Sequence, residues 1–154
     1  MKCVFRITGY GVGAFAPFAL LACGCSGAGW KVTGSVTRDG QPLSGAQVVF
    51  LRVGERFATG ERVITGSDGN FELKARPGGK EALPPGQYNV LITRLVDKKG
   101  NVPKEEDYGQ LEAAGRLKNE LPEKYGDKDF PQFTVEIKAG DNNLPPFDVN
   151  VKKK

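Results

Sequence analysis

The side chains that could perform acid–base chemistry in this chain are carboxylates, since none of the 154 residues is histidine. Without histidine, Ser-His-Asp catalysis, Cys-His catalysis and histidine-ligated zinc are excluded. The carboxylates that cluster in sequence lie in one charged stretch and comprise Glu105, Glu106, Asp107, Asp127 and Asp129. General acid catalysis needs a carboxyl with a raised pKa in a dry pocket, whereas charges in a glycine-containing loop are normally solvated. We therefore expect no catalytic residue, and a carboxylate-dependent hydrolase is the weakest alternative.

Metal binding is also not indicated by the sequence. The three cysteines, Cys3, Cys23 and Cys25, all lie near the N-terminus and do not form a metal-binding cluster with the rest of the chain. The segments SDGN (67–70) and AGDNN (139–143) concentrate oxygen ligands, which calcium prefers, but neither has the spaced ligand series of a calcium loop. Turn formation explains both segments, and we expect no metal and no cofactor.

The N-terminal segment has the features of an export signal. Lys2 and Arg6 precede an uncharged run over residues 7–22. Early cations followed by an apolar stretch are typical of a secretory signal peptide, and the run is too short and too rich in glycine for a spanning helix. The pattern predicts a signal peptide over residues 1–22.

The residues around Cys23 resemble the lipobox of bacterial lipoproteins. They read Leu20, Leu21, Ala22, Cys23, although Leu21 departs from the small residue usual at that place. The resemblance implies that the Cys23 thiol carries diacylglycerol and that Cys23 becomes the new N-terminus, with residues 23–29 as a tether. Each buried methylene contributes about 0.8 kcal/mol, so two or three acyl chains make a lasting anchor. An ordinary signal peptide, an uncut anchor and lipidation at Cys25 remain alternatives.

From Trp30 onward, alternating apolar and polar residues predict short strands separated by turns. The alternating segments are WKVTGSV, AQVVFLRV (46–53), ERVITG, NFELKA, QYNVLITRLV, FTVEI and FDVNV. Asp39 and Gly40 are suited to the positive backbone dihedrals of a tight hairpin turn, and Pro42 is expected before regular pairing starts. Many short strands between turn signals are typical of an antiparallel sandwich or barrel.

Residues 96–130, which we call the excursion, break this alternation and carry many charges. The segment EEDYGQLEAAGRLK predicts one or two helical turns within it. Tyr108, Tyr125 and Phe130 are candidate ligand-binding residues, because sugar sites favour aromatic planes beside hydrogen-bonding side chains. The alternative that we favour is that Tyr125 and Phe130 pack back on the sandwich and pin the excursion. Trp30 is likewise interpreted as a packing residue.

Longer segments resemble the carboxypeptidase regulatory-like or transthyretin-like module. They are VTGSVTRDGQPLSGAQVVF, TGSDGNFEL and PPGQYNVLI, and LPEKYGDKDFPQFTVEIKAGDNNLPPFDV resembles the ending of many small bacterial lipoproteins with this module. The resemblance implies that residues 30–154 form an all-β, seven-stranded Greek-key sandwich, with the excursion as one long charged insertion. It brings no catalytic residues.

Charge and export together predict a role in the cell envelope. The formal net charge of +4 falls by two once Lys2 and Arg6 are removed, and no basic face remains for nucleic acid. We expect a lipid-anchored, non-catalytic protein with a structural or binding role, held in the membrane by its lipid and contacting an envelope protein or a polysaccharide. Gly24 is not the aspartate of an inner-membrane retention signal, which favours the outer membrane, on its periplasmic face or at the cell surface. A carbohydrate-binding module and a passive spacer are the alternatives.

Overall fold

A computed structural model describes residues 30–54, 60–76, 78–79 and 81–151. The described strands are β1 (Val32–Arg38), β2 (Gln41–Pro42), β3 (Gln47–Arg52), β4 (Glu61–Ile64), β5 (Asn70–Leu73), β6 (Gly86–Thr93), β7 (Leu95–Val96), β8 (Lys118–Asn119), β9 (Phe133–Ile137), β10 (Asn142–Asn143) and β11 (Phe147–Val149). One helix, α1, covers Tyr108–Ala113, and single 3-10 turns cover Glu105–Asp107 and Glu123–Tyr125. None of the described helices is long and apolar enough to cross a membrane.

Two sheets face each other across one core. In the first sheet, β1 is central, with β2 and β5 antiparallel to it and β10 and β11 parallel to it. The second sheet is antiparallel throughout, in the order β4-β3-β6-β9. Within the described ranges, seven strands have three or more residues. The predicted all-β sandwich is therefore confirmed.

The predicted hairpin turn is present, but the chain leaves it differently from the expectation. Asp39 and Gly40 both have positive φ, 51° and 82°. The expectation that Pro42 precedes the strand pairing is wrong, since Pro42 of β2 pairs with Thr37 of β1. The next residue, Leu43, still donates its amide to the Val36 carbonyl at 2.9 Å, and its side chain lies in the core, where it is 6% exposed. The return strand β3 then joins the other sheet, and the same change of sheet separates β4 from β5.

The alternation of the sequence correctly predicts which side chains form the core. Tyr88, Val90 and Ile92 on β6 all face inward and are at most 3% exposed. Phe71 of β5 lies between two other rings, with its centroid 6.0 Å from that of Phe50 and 6.3 Å from that of Phe147. Burying each such large apolar side chain contributes about 1.5–3 kcal/mol. The sandwich is thus held by side-chain packing between its sheets.

The strand directions place the two ends of the sandwich. Trp30, which is 40% exposed and not in the core, precedes β1, and its carbonyl accepts a hydrogen bond from the Ala82 amide. We call this the tether end. β1 then runs about 20 Å, at roughly 3.3 Å per residue, to Arg38 at the distal end. The excursion follows the last residues of β6 and is bonded to Arg38 through Glu120, so its base lies at the distal end.

Candidate functional site

The excursion is a folded segment. Its first part is closed by a two-residue ladder in which Leu95 pairs with Asn119 and Val96 with Lys118. The helical turns predicted from sequence are present as α1. Short antiparallel pairing of this kind closes the loop at its base, so the excursion is presented as a body and not as an open chain.

A carboxylate clamp fastens the base of the excursion to the sandwich. Glu120 accepts a hydrogen bond from Arg38 Nη1 at 2.8 Å, and its other oxygen accepts one from Arg94 Nη1. Arg94 also donates from Nε to the Ser44 carbonyl at 2.9 Å. Hydrogen bonding from Arg38 lowers the pKa of the Glu120 carboxyl, and Arg94 adds to this effect. The clamp joins the return arm of the excursion to the end of β1 and to the end of β6.

Tyr125 pins the excursion in the way that the favoured interpretation predicted. The residue is 4% exposed, and its ring stacks on Phe133 with centroids 5.8 Å apart and planes 12° apart. Its hydroxyl accepts a hydrogen bond from the Asn150 amide at 2.8 Å and is 3.4 Å from the Asn150 carbonyl, to which it donates. A ring in this position has no free face for a ligand.

Tyr108 is also not an open aromatic platform. It is the first residue of α1 and is half-buried, and its hydroxyl oxygen is shielded from solvent with no hydrogen-bond partner among the described residues. Burial raises the pKa of the Tyr108 hydroxyl, against opposing effects of Arg62 and Arg94. The hydroxyl therefore points into the protein and not toward a ligand in solvent.

Phe130 is the one member of the predicted trio that faces solvent. It is 74% exposed, so the interpretation that it packs back on the sandwich is wrong. Its turn is ordered by hydrogen bonds: Asp127 Oδ1 accepts from the amides of Asp129 at 2.9 Å and Phe130 at 3.3 Å, and Gln132 donates to the Phe130 carbonyl at 3.0 Å. We call residues 127–132 the Phe130 turn. The three aromatic residues do not form one site, because they face different surroundings.

The described carboxylates of the excursion do not gather in a pocket. Glu106 and Asp107 are exposed, Asp127 is used in the Phe130 turn, and Asp129 forms a 3.0 Å ion pair with Lys128. No group of three or more His, Cys, Asp or Glu side chains that could hold a metal ion is found in the described ranges.

The SDGN segment forms a turn, as predicted, whereas AGDNN forms a bend that leads into β10. Asp68 accepts hydrogen bonds from the Asn70 amide at 3.1 Å and from its side chain at 2.7 Å, and these bonds lower the pKa of the Asp68 carboxyl. In the second segment, the Asn142 side chain bonds to the backbone of Lys138 and Gly140. Most side-chain oxygens of these two segments thus accept hydrogen bonds that stabilise the local backbone.

A groove of about 610 Å³ lies on the outer face of the first sheet, and its lining includes none of Tyr108, Tyr125 and Phe130. It is lined by Thr33, Gly34 and Ser35 of β1, Asn70, Phe71 and Glu72 of β5, Asn143 of β10, and Asp68, Leu144 and Pro146 of the adjoining turns. We call this the polar groove. Sequence alternation marks Thr33, Ser35, Asn70 and Glu72 only as outward-facing, and nothing in the sequence shows that they converge.

The groove forms where the pairing along β1 is interrupted. β10 pairs with Val32 and Thr33, and β11 resumes at Val36, one residue out of register. Pro145 and Pro146 lie between these strands and have no amide hydrogen, so they cannot donate to β1. The break leaves the middle of β1 as the floor of the groove.

Cys23 and the predicted signal and tether, residues 1–29, lie outside the described residues. The lipidation site therefore stays a prediction from sequence.

No protein-family model and no curated protein matches this chain. Among solved structures, a DUF3823 family protein from Parabacteroides merdae is 21% identical with a TM-score of 0.40, covering 78% of this chain and 45% of its own. Another DUF3823 family protein, from Bacteroides ovatus, is 12% identical with a TM-score of 0.38, and the match covers 79% of this chain and 44% of that protein. The chain thus spans less than half the length of these two proteins. A 5-hydroxyisourate hydrolase from Klebsiella pneumoniae is 17% identical with a TM-score of 0.35, covering 79% and 86%. These likenesses assign no ligand, partner or reaction to this chain.

Proposed function

We propose that this protein is a lipid-anchored module of the bacterial cell envelope, of the transthyretin-like, carboxypeptidase regulatory-like kind, which binds an envelope protein through its distal end without catalysis. The observation that carries the proposal is the Phe130 turn, which holds an aromatic ring in solvent on the excursion, and Glu120 fastens the base of the excursion to the distal end of the sandwich.

The anchor part of the proposal rests on the sequence before the fold. An apolar run leads directly into Leu20, Leu21, Ala22 and Cys23, the place where a lipobox cysteine must stand. Trp30 then begins the sandwich only seven positions after Cys23. A tether of this length keeps the tether end close to the membrane on either the periplasmic face of the outer membrane or the cell surface.

The display part rests on the direction of the strands. A protein held at its tether end presents the distal end away from the membrane, about 20 Å further out by the length of β1. The excursion is fixed there by the Glu120 clamp and by Tyr125, so the Phe130 turn keeps a defined position. An interface built on a preordered turn loses little conformational freedom on binding.

The binding part rests on Phe130 and the strand that follows it. An exposed aromatic ring on a rigid support is typical of the anchors that dominate protein interfaces, and its burial contributes about 1.5–3 kcal/mol. β9 begins at Phe133 and has one pairing partner, β6, among the described strands. Its other edge offers backbone hydrogen-bonding groups to a partner strand.

The absence of catalysis is supported by the chemistry of the distal end. The chain has no histidine, and the described carboxylates of the excursion are solvated or used in turns and ion pairs. None lies in the dry environment that general acid catalysis requires.

Site-specific photocrosslinking in intact cells tests the proposal. A photoreactive phenylalanine analogue replaces Phe130 in one variant and Val53 in a matched control, because Val53 is also apolar and 47% exposed but lies at the tether end of β3. We expect a discrete adduct with one envelope protein from position 130, identified by mass spectrometry, and none from position 53. No protein adduct from position 130, or the same adducts from both positions, would contradict the proposal.

A further inference from the structure

We infer that the polar groove is a second binding site, and that its ligand is a neutral, hydroxyl-rich glycan chain. This inference does not depend on the Phe130 turn, because the groove lies on the outer face of the first sheet and is built from β1, β5 and β10.

The first step is that the groove offers unused hydrogen-bonding groups of both kinds. The Ser35 hydroxyl has no hydrogen bond with any described residue. The Asn143 side chain accepts from the Thr33 hydroxyl at 3.3 Å through Oδ1, which leaves its NH₂ group for a ligand. The Asn70 NH₂ group donates a hydrogen bond to Asp68, which leaves the Asn70 Oδ1 as an acceptor for a ligand. Sugar hydroxyls donate and accept at once, so they match a surface with both donors and acceptors.

The second step is that the charges at the groove disfavour an anion. Its lining includes the carboxylates of Asp68 and Glu72 and no lysine or arginine. Glu72 is ion-paired with Lys74 at 3.1 Å and with Lys31 at 3.9 Å, so these two cations are already engaged. A phosphate or sulfate group would meet carboxylates without a free cation, which is unfavourable.

The third step is the shape of the site. A volume of about 610 Å³ lies within the range of small-molecule sites, about 300–1,000 Å³. The lining spans three neighbouring strands, so its width is about 10 Å at roughly 4.8 Å per strand. The lining also includes the apolar side chains of Leu144 and Pro146, on which the C–H face of a sugar ring can pack. Asn70, Glu72 and Asn143 are exposed, so a chain can lie across the groove without entering a closed cavity.

An NMR titration of the mature protein tests the inference, with cellohexaose, maltohexaose and chitohexaose as neutral probes and dextran sulfate as the anionic one. We expect at least one neutral hexasaccharide to shift the backbone amides of β1, β5 and β10 at the groove, with a dissociation constant of about 1 mM or tighter. Ser35→Arg fills the groove and is expected to weaken binding about tenfold or more. Ser44→Arg is the matched control, because Ser44 is exposed and outside the groove, and it should bind as the wild type does.

Asn143→Ala provides a milder variant that removes an exposed amide together with its long 3.3 Å hydrogen bond from the Thr33 hydroxyl, a solvent-exposed bond that adds little to stability. It should weaken binding while leaving the thermal midpoint unchanged, which separates loss of the site from loss of the fold. The inference is wrong if no neutral hexasaccharide shifts the groove amides, if Ser35→Arg and Asn143→Ala bind as the wild type does, or if only dextran sulfate binds.

Discussion

The two excursion tyrosines are predicted to respond in opposite ways to the loss of one oxygen atom. Tyr125→Phe keeps the ring on Phe133 but removes the hydroxyl that accepts from the Asn150 amide at 2.8 Å. The second contact, from the hydroxyl to the Asn150 carbonyl, is long at 3.4 Å, so we count one good hydrogen bond. One such bond contributes about 1 kcal/mol, and its loss should lower the thermal midpoint by about 4 °C.

Tyr108→Phe removes a hydroxyl that is buried without a partner among the described residues. Such a group lost its water on folding and gained no bond in exchange, at a cost of about 1–3 kcal/mol. Tyr108→Phe should therefore leave the free energy of unfolding unchanged or increase it. Because both substitutions are chemically identical and both lie in the excursion, each is the control for the other.

Urea denaturation followed by circular dichroism measures both variants. The predicted order of midpoints is Tyr108→Phe at or above the wild type and Tyr125→Phe below it. A Tyr125→Phe protein as stable as the wild type would show that the hydroxyl does not pin the excursion. A Tyr108→Phe protein destabilised by about 1 kcal/mol or more would show that its hydroxyl has a partner, and the reasoning from burial would fail.

Two further substitutions test the clamp and the core. Hydrogen bonding from Arg38 lowers the pKa of Glu120 in the folded protein. The stability that the ionised Glu120 contributes is therefore fully present above the ordinary carboxyl pKa, and it is lost as the pH falls through the pKa of the folded state. Glu120→Gln should thus be less stable than the wild type by about 1 kcal/mol at neutral pH, and this difference should shrink as the pH falls below the ordinary carboxyl pKa, as urea titrations over a series of pH values would show; a constant difference contradicts the clamp. Gly34→Ala places a Cβ 2.6 Å from Phe71 Cζ and should lower the free energy of unfolding, measured by thermal unfolding, by about 1–3 kcal/mol. Gly109→Ala is the control, because nothing lies within 4 Å of the added atom, and it should not lower the stability. Equal effects of the two substitutions would contradict the packing.

The sequence predicted the features that depend on neighbours along the chain. Alternation gave the buried face of β6, with Tyr88, Val90 and Ile92 inward, because successive side chains of a strand point to opposite faces. Asp39 and Gly40 predicted their turn because few residue types tolerate positive φ. α1 followed from a local pattern in the same way.

The features that the sequence did not predict depend on pairing between distant segments. β3 follows β1 after a hairpin turn, so pairing with β1 is the local expectation, but β3 pairs with β6 in the other sheet. No local signal in the sequence distinguishes these two partners. The polar groove requires a one-residue change of register between β10 and β11, which only the folded pairing reveals. The packing interpretation holds for Tyr125 and fails for Phe130, because hydrogen bonds to Asp127 hold the Phe130 backbone in a turn with the ring in solvent.

The most direct test of the proposed function is the intact mass of the protein extracted from membranes, measured together with fractionation of a Cys23→Ala variant. The account predicts a mature chain that begins at Cys23 and carries the mass of its acyl chains, and a variant that leaves the membrane fraction. An unacylated N-terminus on a protein found in the soluble fraction would contradict the anchor, and the distal end could then no longer be assigned as the surface presented away from a membrane.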